Sequence, residues 1–228
     1  MPKLLQRDLT SEREFWQNLG PVPEQELLAM KNFVQAWIER FHSIPANPRI
    51  LEIGGAGAPT IVFFSNAARY AIDPLMDYYQ TKFPNFYDGS SIVTAQAAAD
   101  ATPFENDFFD VVIMLNVIDH TENPVDIIRE CYRVLKPGGV MAMSVDTYPW
   151  YWKLVRTISP YFGHKYYLLH PQTFTNRGIS RILSKCNLKI LHTFIDNRKI
   201  SESGIIKYLR MMNYGMTRLY NLTEKEAR

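Results

Sequence analysis

The stretch Ile50-Leu51-Glu52-Ile53-Gly54-Gly55-Ala56-Gly57-Ala58-Pro59-Thr60 decides the fold. A short apolar run carries an acid, ends in a turn of small residues, and leads into a segment over 59–67 that reads as a helix. Small side chains let a ligand approach the backbone, and free N–H groups at the start of a helix are donors for it. The same arrangement also serves packing alone, so the turn by itself leaves both readings open.

Outward from this stretch, short apolar strands alternate with helical patterns. Strands are expected over 69–72, more weakly over 91–95, and at Phe109-Asp110-Val111-Val112-Ile113-Met114-Leu115, whose near-continuous apolar character suits burial on both faces. Further strands are expected over 140–145 and 188–195, and helices over 74–83, 123–135 and 175–187. Lys136-Pro137-Gly138-Gly139 closes the second of these helices. The alternation predicts an α/β protein with a doubly wound, mostly parallel sheet covered on both faces. Upstream, Pro23-Glu24 opens a helix with Leu27, Met30, Val34, Trp37, Ile38 and Phe41 near a 3.6-residue period. The chain therefore divides into an N-terminal helical cap, 1–48, a core, 49–197, that includes an aromatic insertion at 146–170, and a basic segment, 198–228. Within that last segment, 204–222 carries a poor helical pattern.

Composition bounds the function. The 228 residues have room for one sizeable core. With 25 Lys+Arg against 23 Asp+Glu, no global basic field exists to drive non-specific nucleic-acid binding, and no nucleic-acid partner is expected. The two cysteines, Cys131 and Cys186, have no metal-type spacing, so neither a metal site nor a disulfide framework is expected. Charges interrupt the first residues too early for a signal peptide, and no apolar run is long enough to span a bilayer. These features predict a soluble, cytoplasmic protein; they leave its oligomeric state open.

Asp73 lies about twenty residues beyond the glycine turn, where an acid can accept both hydroxyls of a ribose, or cap the helix that starts at Pro74. To this point a nicotinamide-dependent oxidoreductase and a nucleoside-binding transferase are both allowed. Three further passages separate them: Asp100-Ala101-Thr102-Pro103-Phe104 with Phe109-Asp110-Val111-Val112, Asn116-Val117-Ile118-Asp119-His120 up to Pro124, and Arg133-Val134-Leu135-Lys136-Pro137-Gly138-Gly139. Together with Glu52 and Gly54, they resemble, in order and spacing, the signatures of class I S-adenosylmethionine-dependent methyltransferases of the small-molecule type. The resemblance covers 49–145 well and 171–195 loosely.

That resemblance implies a Rossmann-like, seven-stranded sheet with a reversed final strand, and S-adenosylmethionine as cofactor with S-adenosylhomocysteine as product. It implies that Gly54, Gly55, Ala56 and Gly57 line the methionine portion, with Glu52 near its ammonium. Asp73 would hold the ribose, Asp100 and Ala101 would flank the adenine, and Asn116 would sit beneath the sulfonium. Two departures stand out. Ala56 and Ala58 occupy the second and third glycine positions of the motif, and the shorter gap from Asp100 to Pro103 allows registers that place Ala98 or Ala99 at the adenine.

A sulfonium methyl is already activated, so the protein has to align a nucleophile and exclude water. A base is needed for a protonated hydroxyl acceptor, and His120, His164 and Asp146 are the candidates. Their nearness to the expected site favours oxygen methylation. Tyr148, Trp150, Trp152, Tyr166 and Tyr167 of the aromatic insertion are expected at a small-molecule acceptor, or else in a satellite core packed on the N-terminal helix. A non-catalytic binding protein with the same fold is the rival reading, and the altered glycines motivate it.

Overall fold

The computed structural model describes residues 9–10, 12–14, 16–17, 21–55, 57–151, 172–196 and 217–226. Helix α1 (Glu24–Phe41) precedes strand β1 (Arg49–Ile53), a four-residue 3-10 turn (Thr60–Phe63) and β2 (Ala68–Asp73). Two short helices, α2 (Met76–Lys82) and α3 (Pro84–Tyr87), lead to β3 (Ile92–Gln96). Then come β4 (Phe109–Leu115), a 3-10 turn (Ile118–His120), α4 (Pro124–Val134), β5 (Leu135–Thr147), α5 (Asn176–Lys185), β6 (Leu188–Asp196) and β7 (Thr217–Lys225). The seven strands form one sheet in the order β3-β2-β1-β4-β5-β7-β6. The ladders from β3 through β5 are parallel, whereas β7 runs antiparallel to both β5 and β6. The expected doubly wound sheet with a reversed last strand is therefore present.

Both faces of the sheet are covered. Alternate residues of the central strands point to opposite sides, so Leu51, Val112, Met114, Met141 and Met143 pack with Ile127, Ile128 and Cys131 of α4 and Leu183 of α5. Ile50, Val111, Ile113, Val140 and Ala142 pack on the other side, where Val34, Trp37 and Ile38 of α1 join them. The N-terminal helix is thus part of the main core. Its Trp37 and Phe33 meet Phe194 of β6 and Tyr220 of β7 in edge-on contacts.

Four expectations are corrected. The helix expected over 59–67 is only the 3-10 turn Thr60–Phe63, because β-branched Thr60, Ile61 and Val62 resist a full helix. The helix expected over 74–83 starts later, at Met76, and Pro84 opens a second short one. The strand expected over 140–145 is longer and spans Leu135–Thr147. The β4–β5 register steps from Phe109↔Leu135 to Val111↔Val140, and the Pro-Gly-Gly residues bulge out between them. Most consequential, residues 217–222 lie in a strand rather than a helix, so the core sheet extends to Lys225, beyond the boundary drawn at 197. The remainder of 204–222 lies outside the described residues. No helix among the described residues is long and apolar enough to cross a membrane.

Lys225 fastens the end of β7. Its ammonium is buried and donates to Asp107 Oδ1 at 2.5 Å, the Leu135 carbonyl at 2.8 Å and the Tyr132 carbonyl at 3.0 Å, satisfying all three N–H groups. Replacing it with Met would leave the Leu135 and Tyr132 carbonyls without this donor in a dry site. Lys225→Met is expected to lower unfolding free energy by about 2–3 kcal/mol. Urea denaturation monitored by circular dichroism measures this, and a loss below about 0.5 kcal/mol would refute the role.

Candidate functional site

Strand order reverses between β1 and β4, and in open sheets of this kind ligands bind at the carboxyl ends of the strands on either side of the reversal. The glycine turn leaves β1 at this point. Gly54 has φ +73°, and a Cβ there would come within 2.6 Å of Val117, which follows β4. Its N–H donates to the Ile72 carbonyl at 2.9 Å, which ties the turn to β2. Glycine is needed for both the backbone sign and the contact.

Glu52 organises the rest of the turn. It is buried, and Oε1 accepts from Thr60 Oγ1 at 2.6 Å and Thr60 N at 3.2 Å, while Oε2 accepts from Ile61 N at 2.9 Å. The carboxylate therefore caps the 3-10 turn. A Cβ on Gly55 would meet the Glu52 carboxyl carbon at 2.5 Å. Burial pushes the Glu52 pKa above its ordinary 4.5, outweighing the three hydrogen bonds that favour the charged form.

Gly57 faces a different neighbour. A Cβ there would lie 2.7 Å from the Trp16 indole, so the N-terminal segment touches the turn directly. Trp16 also meets Tyr79 and Phe83 edge-on, and Lys82 Nζ donates to its carbonyl. These contacts account for a glycine at 57 while the motif's neighbouring positions hold alanine. Ala56 lies outside the described residues.

Asp73 closes β2, is buried, and accepts from Leu75 N at 2.8 Å. The helix begins later than expected, at Met76, so this bond forms a tight Asx-type turn rather than a helix cap. Two buried phenols that sequence reasoning passed over, Tyr79 and Tyr87, lie near these acids. Burial raises both pKa values first, Asp73 raises both further, and Glu52 adds to the effect on Tyr87. Asp100 and Ala101 are exposed, in a turn anchored from α4: Glu130 Oε1 accepts from Thr102 N at 2.8 Å and Thr102 Oγ1 at 2.7 Å. Ala98 and Ala99 are half-buried beside them.

Across the reversal, Asn116 follows β4 with φ +59°, a left-handed conformation asparagine tolerates. Its Oδ1 accepts from Arg218 Nη2 at 3.2 Å. Arg218 also donates from Nε to Asp146 Oδ1 at 2.8 Å and from Nη2 to Asp146 Oδ2 at 3.1 Å. Asp146 is thus engaged in a two-pronged ion pair, with a donor on each of its oxygens. Burial would lower the Arg218 pKa, but the hydrogen bond and charge of Asp146 hold it above the usual guanidinium value. His120 sits on the 3-10 turn after β4 with its side chain 30% exposed and Nε2 3.9 Å from Oδ2 of buried Asp119. Of the aromatic candidates, Tyr148 is buried and hydrogen-bonds the Phe174 carbonyl through its backbone N–H at 2.8 Å, whereas Trp150 is 82% exposed. His164, Trp152, Tyr166 and Tyr167 lie outside the described residues.

The described site thus brings together Glu52, Gly54, Gly55, Gly57, Asp73 and Asn116, with His120 beyond β4 and Asp146 at the end of β5. Arg218, Trp16, Tyr79 and Tyr87 are additions. Arg218 could have been found only by placing β7, and no periodicity announces that strand.

Residues 51–143 match the family model described as a methyltransferase domain. An uncharacterized methyltransferase of Mycobacterium tuberculosis is 26% identical over 136 residues, which is 59% of this chain and 50% of that protein. The chain spans about half the length of the curated relatives it matches first. A ubiquinone biosynthesis O-methyltransferase of Pseudomonas putida is 42% identical over 52 residues, 23% of this chain and 21% of that protein. In fold, the chain is similar to a phosphoethanolamine N-methyltransferase of Haemonchus contortus solved with phosphomonomethylethanolamine and S-adenosylhomocysteine. The TM-score is 0.63 at 16% identity, with 86% of this chain and 52% of that one covered.

The raised Glu52 pKa has a sign that can be checked. The folded state holds the proton more tightly than the unfolded state, so this group's contribution to stability falls as pH rises from 4.5 through the folded pKa. Glu52→Gln removes that dependence. The stability of the variant relative to the wild type is expected to increase with pH across this window in urea titrations. A difference that is flat with pH, or falls, would refute the assignment.

Proposed function

We propose that this chain, whose residues 51–143 match a methyltransferase domain, is a class I S-adenosylmethionine-dependent methyltransferase that transfers a methyl group to an oxygen of a small-molecule acceptor. One observation carries the reading: the glycine turn, Asp73 and Asn116 converge at the carboxyl ends of β1, β2 and β4, around the reversal of strand order.

The residues present fit the cofactor. Asp73 offers a carboxylate to the two ribose hydroxyls, and the turn that leaves β1 at Gly54 and Gly55 lets the methionine end approach the backbone. Glu52 contributes by holding that turn, since three donors already engage its carboxylate. Bound S-adenosylmethionine supplies a methyl group activated by sulfonium charge. His120, partly exposed beside Asp119, takes the acceptor proton as the oxygen becomes nucleophilic. Tyr148 and Trp150 lie after β5 and are proposed for the acceptor side. His164 as a second base and Trp152, Tyr166 and Tyr167 as acceptor contacts belong to the same proposal. The oxygen preference rests on His120; the Pseudomonas putida relative is itself named as an O-methyltransferase.

A non-catalytic binding protein is the second reading, favoured by the contact of Trp16 with Gly57 on the turn. Isothermal titration with S-adenosylhomocysteine separates the two, because no binding at millimolar ligand would end the enzyme reading. With binding established, Asp73→Ala is expected to weaken affinity by about 10–100-fold, the scale of losing hydrogen bonds to a charged group. Its thermal midpoint should shift only by the loss of one Asx-turn bond. Unchanged affinity would reduce Asp73 to a turn residue.

A further inference from the structure

We propose that Arg218, supplied by the last strand, is a positioning residue of the methyl-transfer site that acts through Asn116. The inference rests on the functional reading above and deepens it. β7 runs against its neighbours, so its first residues lie at the carboxyl edge of the parallel strands, where the ligand crevice opens. Arg218 pairs in register with Asp146 of β5 and reaches past it to Asn116 at the end of β4. One guanidinium thus spans two strand ends. Its Nε and Nη2 grip both Asp146 oxygens at 2.8 and 3.1 Å, and Nη2 also meets Asn116 Oδ1 at 3.2 Å.

Asn116 needs this support. Its left-handed backbone is one that non-glycine residues visit at some cost, and a hydrogen bond to its side chain fixes where the amide points. Asp146 in turn fixes the guanidinium, because a two-pronged carboxylate contact sets the plane as well as the position. Lysine carries the charge but lacks the planar fork, so it cannot reproduce the two-pronged contact to Asp146 while reaching Asn116 from the same fixed plane. Arg218 and Asp146 lie beyond the segment that matches the methyltransferase domain, which ends at 143, and Asn116 lies within it. The guanidinium thus ties the matched segment to the strand pair that follows it.

The test uses the full chain, with titration of S-adenosylhomocysteine and thermal melting on wild type, Arg218→Met, Arg218→Lys, Asn116→Ala and the double variant Asn116→Ala/Arg218→Met. Arg218→Met is expected to weaken S-adenosylhomocysteine about tenfold, and Arg218→Lys nearly as much while melting close to wild type. The double variant should bind no more weakly than Asn116→Ala alone, because both changes remove one interaction. Wild-type affinity in Arg218→Met, restoration by Arg218→Lys, or losses that multiply in the double variant would each overturn the proposal. If Arg218→Met does not fold, the affinity of Arg218→Lys decides alone. Absence of binding by the wild type would instead overturn the functional reading, and with it this inference.

Discussion

A carboxylate buried beneath the glycine turn is the constraint on which the site depends. Glu52 leaves water at a cost, recovered only in part by the two N–H groups and the hydroxyl it receives from Thr60 and Ile61. The residual cost appears as its raised pKa. In return the chain leaves β1, turns sharply, and restarts with its first N–H groups already engaged. Gly55 has to be small because the Glu52 side chain occupies the space a Cβ would need. The turn is therefore shaped from below by the protein's own acid, and its upper surface is left for a ligand and for Trp16.

The same constraint shapes the packing around it. The link from β1 to β2 contains only a four-residue 3-10 turn, too little to cover that face of the sheet. Helix α1 supplies the missing apolar surface, setting Val34, Trp37 and Ile38 against Ile50, Ile61, Val111 and Ile113. Its aromatic residues reach as far as β6 and β7, binding the antiparallel edge to the same layer. The N-terminal part of the chain is then a structural substitute for a full crossover helix as well as a neighbour of the site.

Sequence patterns that depend on local periodicity or on backbone chemistry were legible. The strand at 109–115, the amphipathic helices at 124–134 and 176–185, and the position of Gly54, Asp73 and Asn116 at strand ends all follow from such patterns. What was not legible is non-local. β7 buries Asn221, Thr223 and Lys225, polar residues that hide a central strand from any hydropathy reading. Distant partners meet them in part: Thr193 Oγ1 donates to Asn221 Oδ1 at 2.8 Å, and Lys225 meets two carbonyls and Asp107, whereas Asn221 Nδ2 has no partner among the described residues. The ion pair of Asp146 was hidden because Arg218 is 72 residues away. The bonds that hold Glu52 were hidden because Thr60 and Ile61 lie eight and nine residues downstream, in a segment read as ordinary helix.

These non-local contacts have a common physical origin, and it divides the site. The segment that matches the methyltransferase domain, 51–143, contains the residues assigned to the cofactor, whose roles rest on turn geometry and strand ends. Asp146, Tyr148 and Arg218 lie outside it and are organised by ion pairing and burial across the sheet. A fixed cofactor imposes the same turn on any chain that binds it, whereas an acceptor imposes nothing that a second acceptor would share. Arg218 joins the two parts, because it holds Asp146 outside that segment and Asn116 within it, so a strand added late in the chain fixes the side chain of a residue assigned to the cofactor.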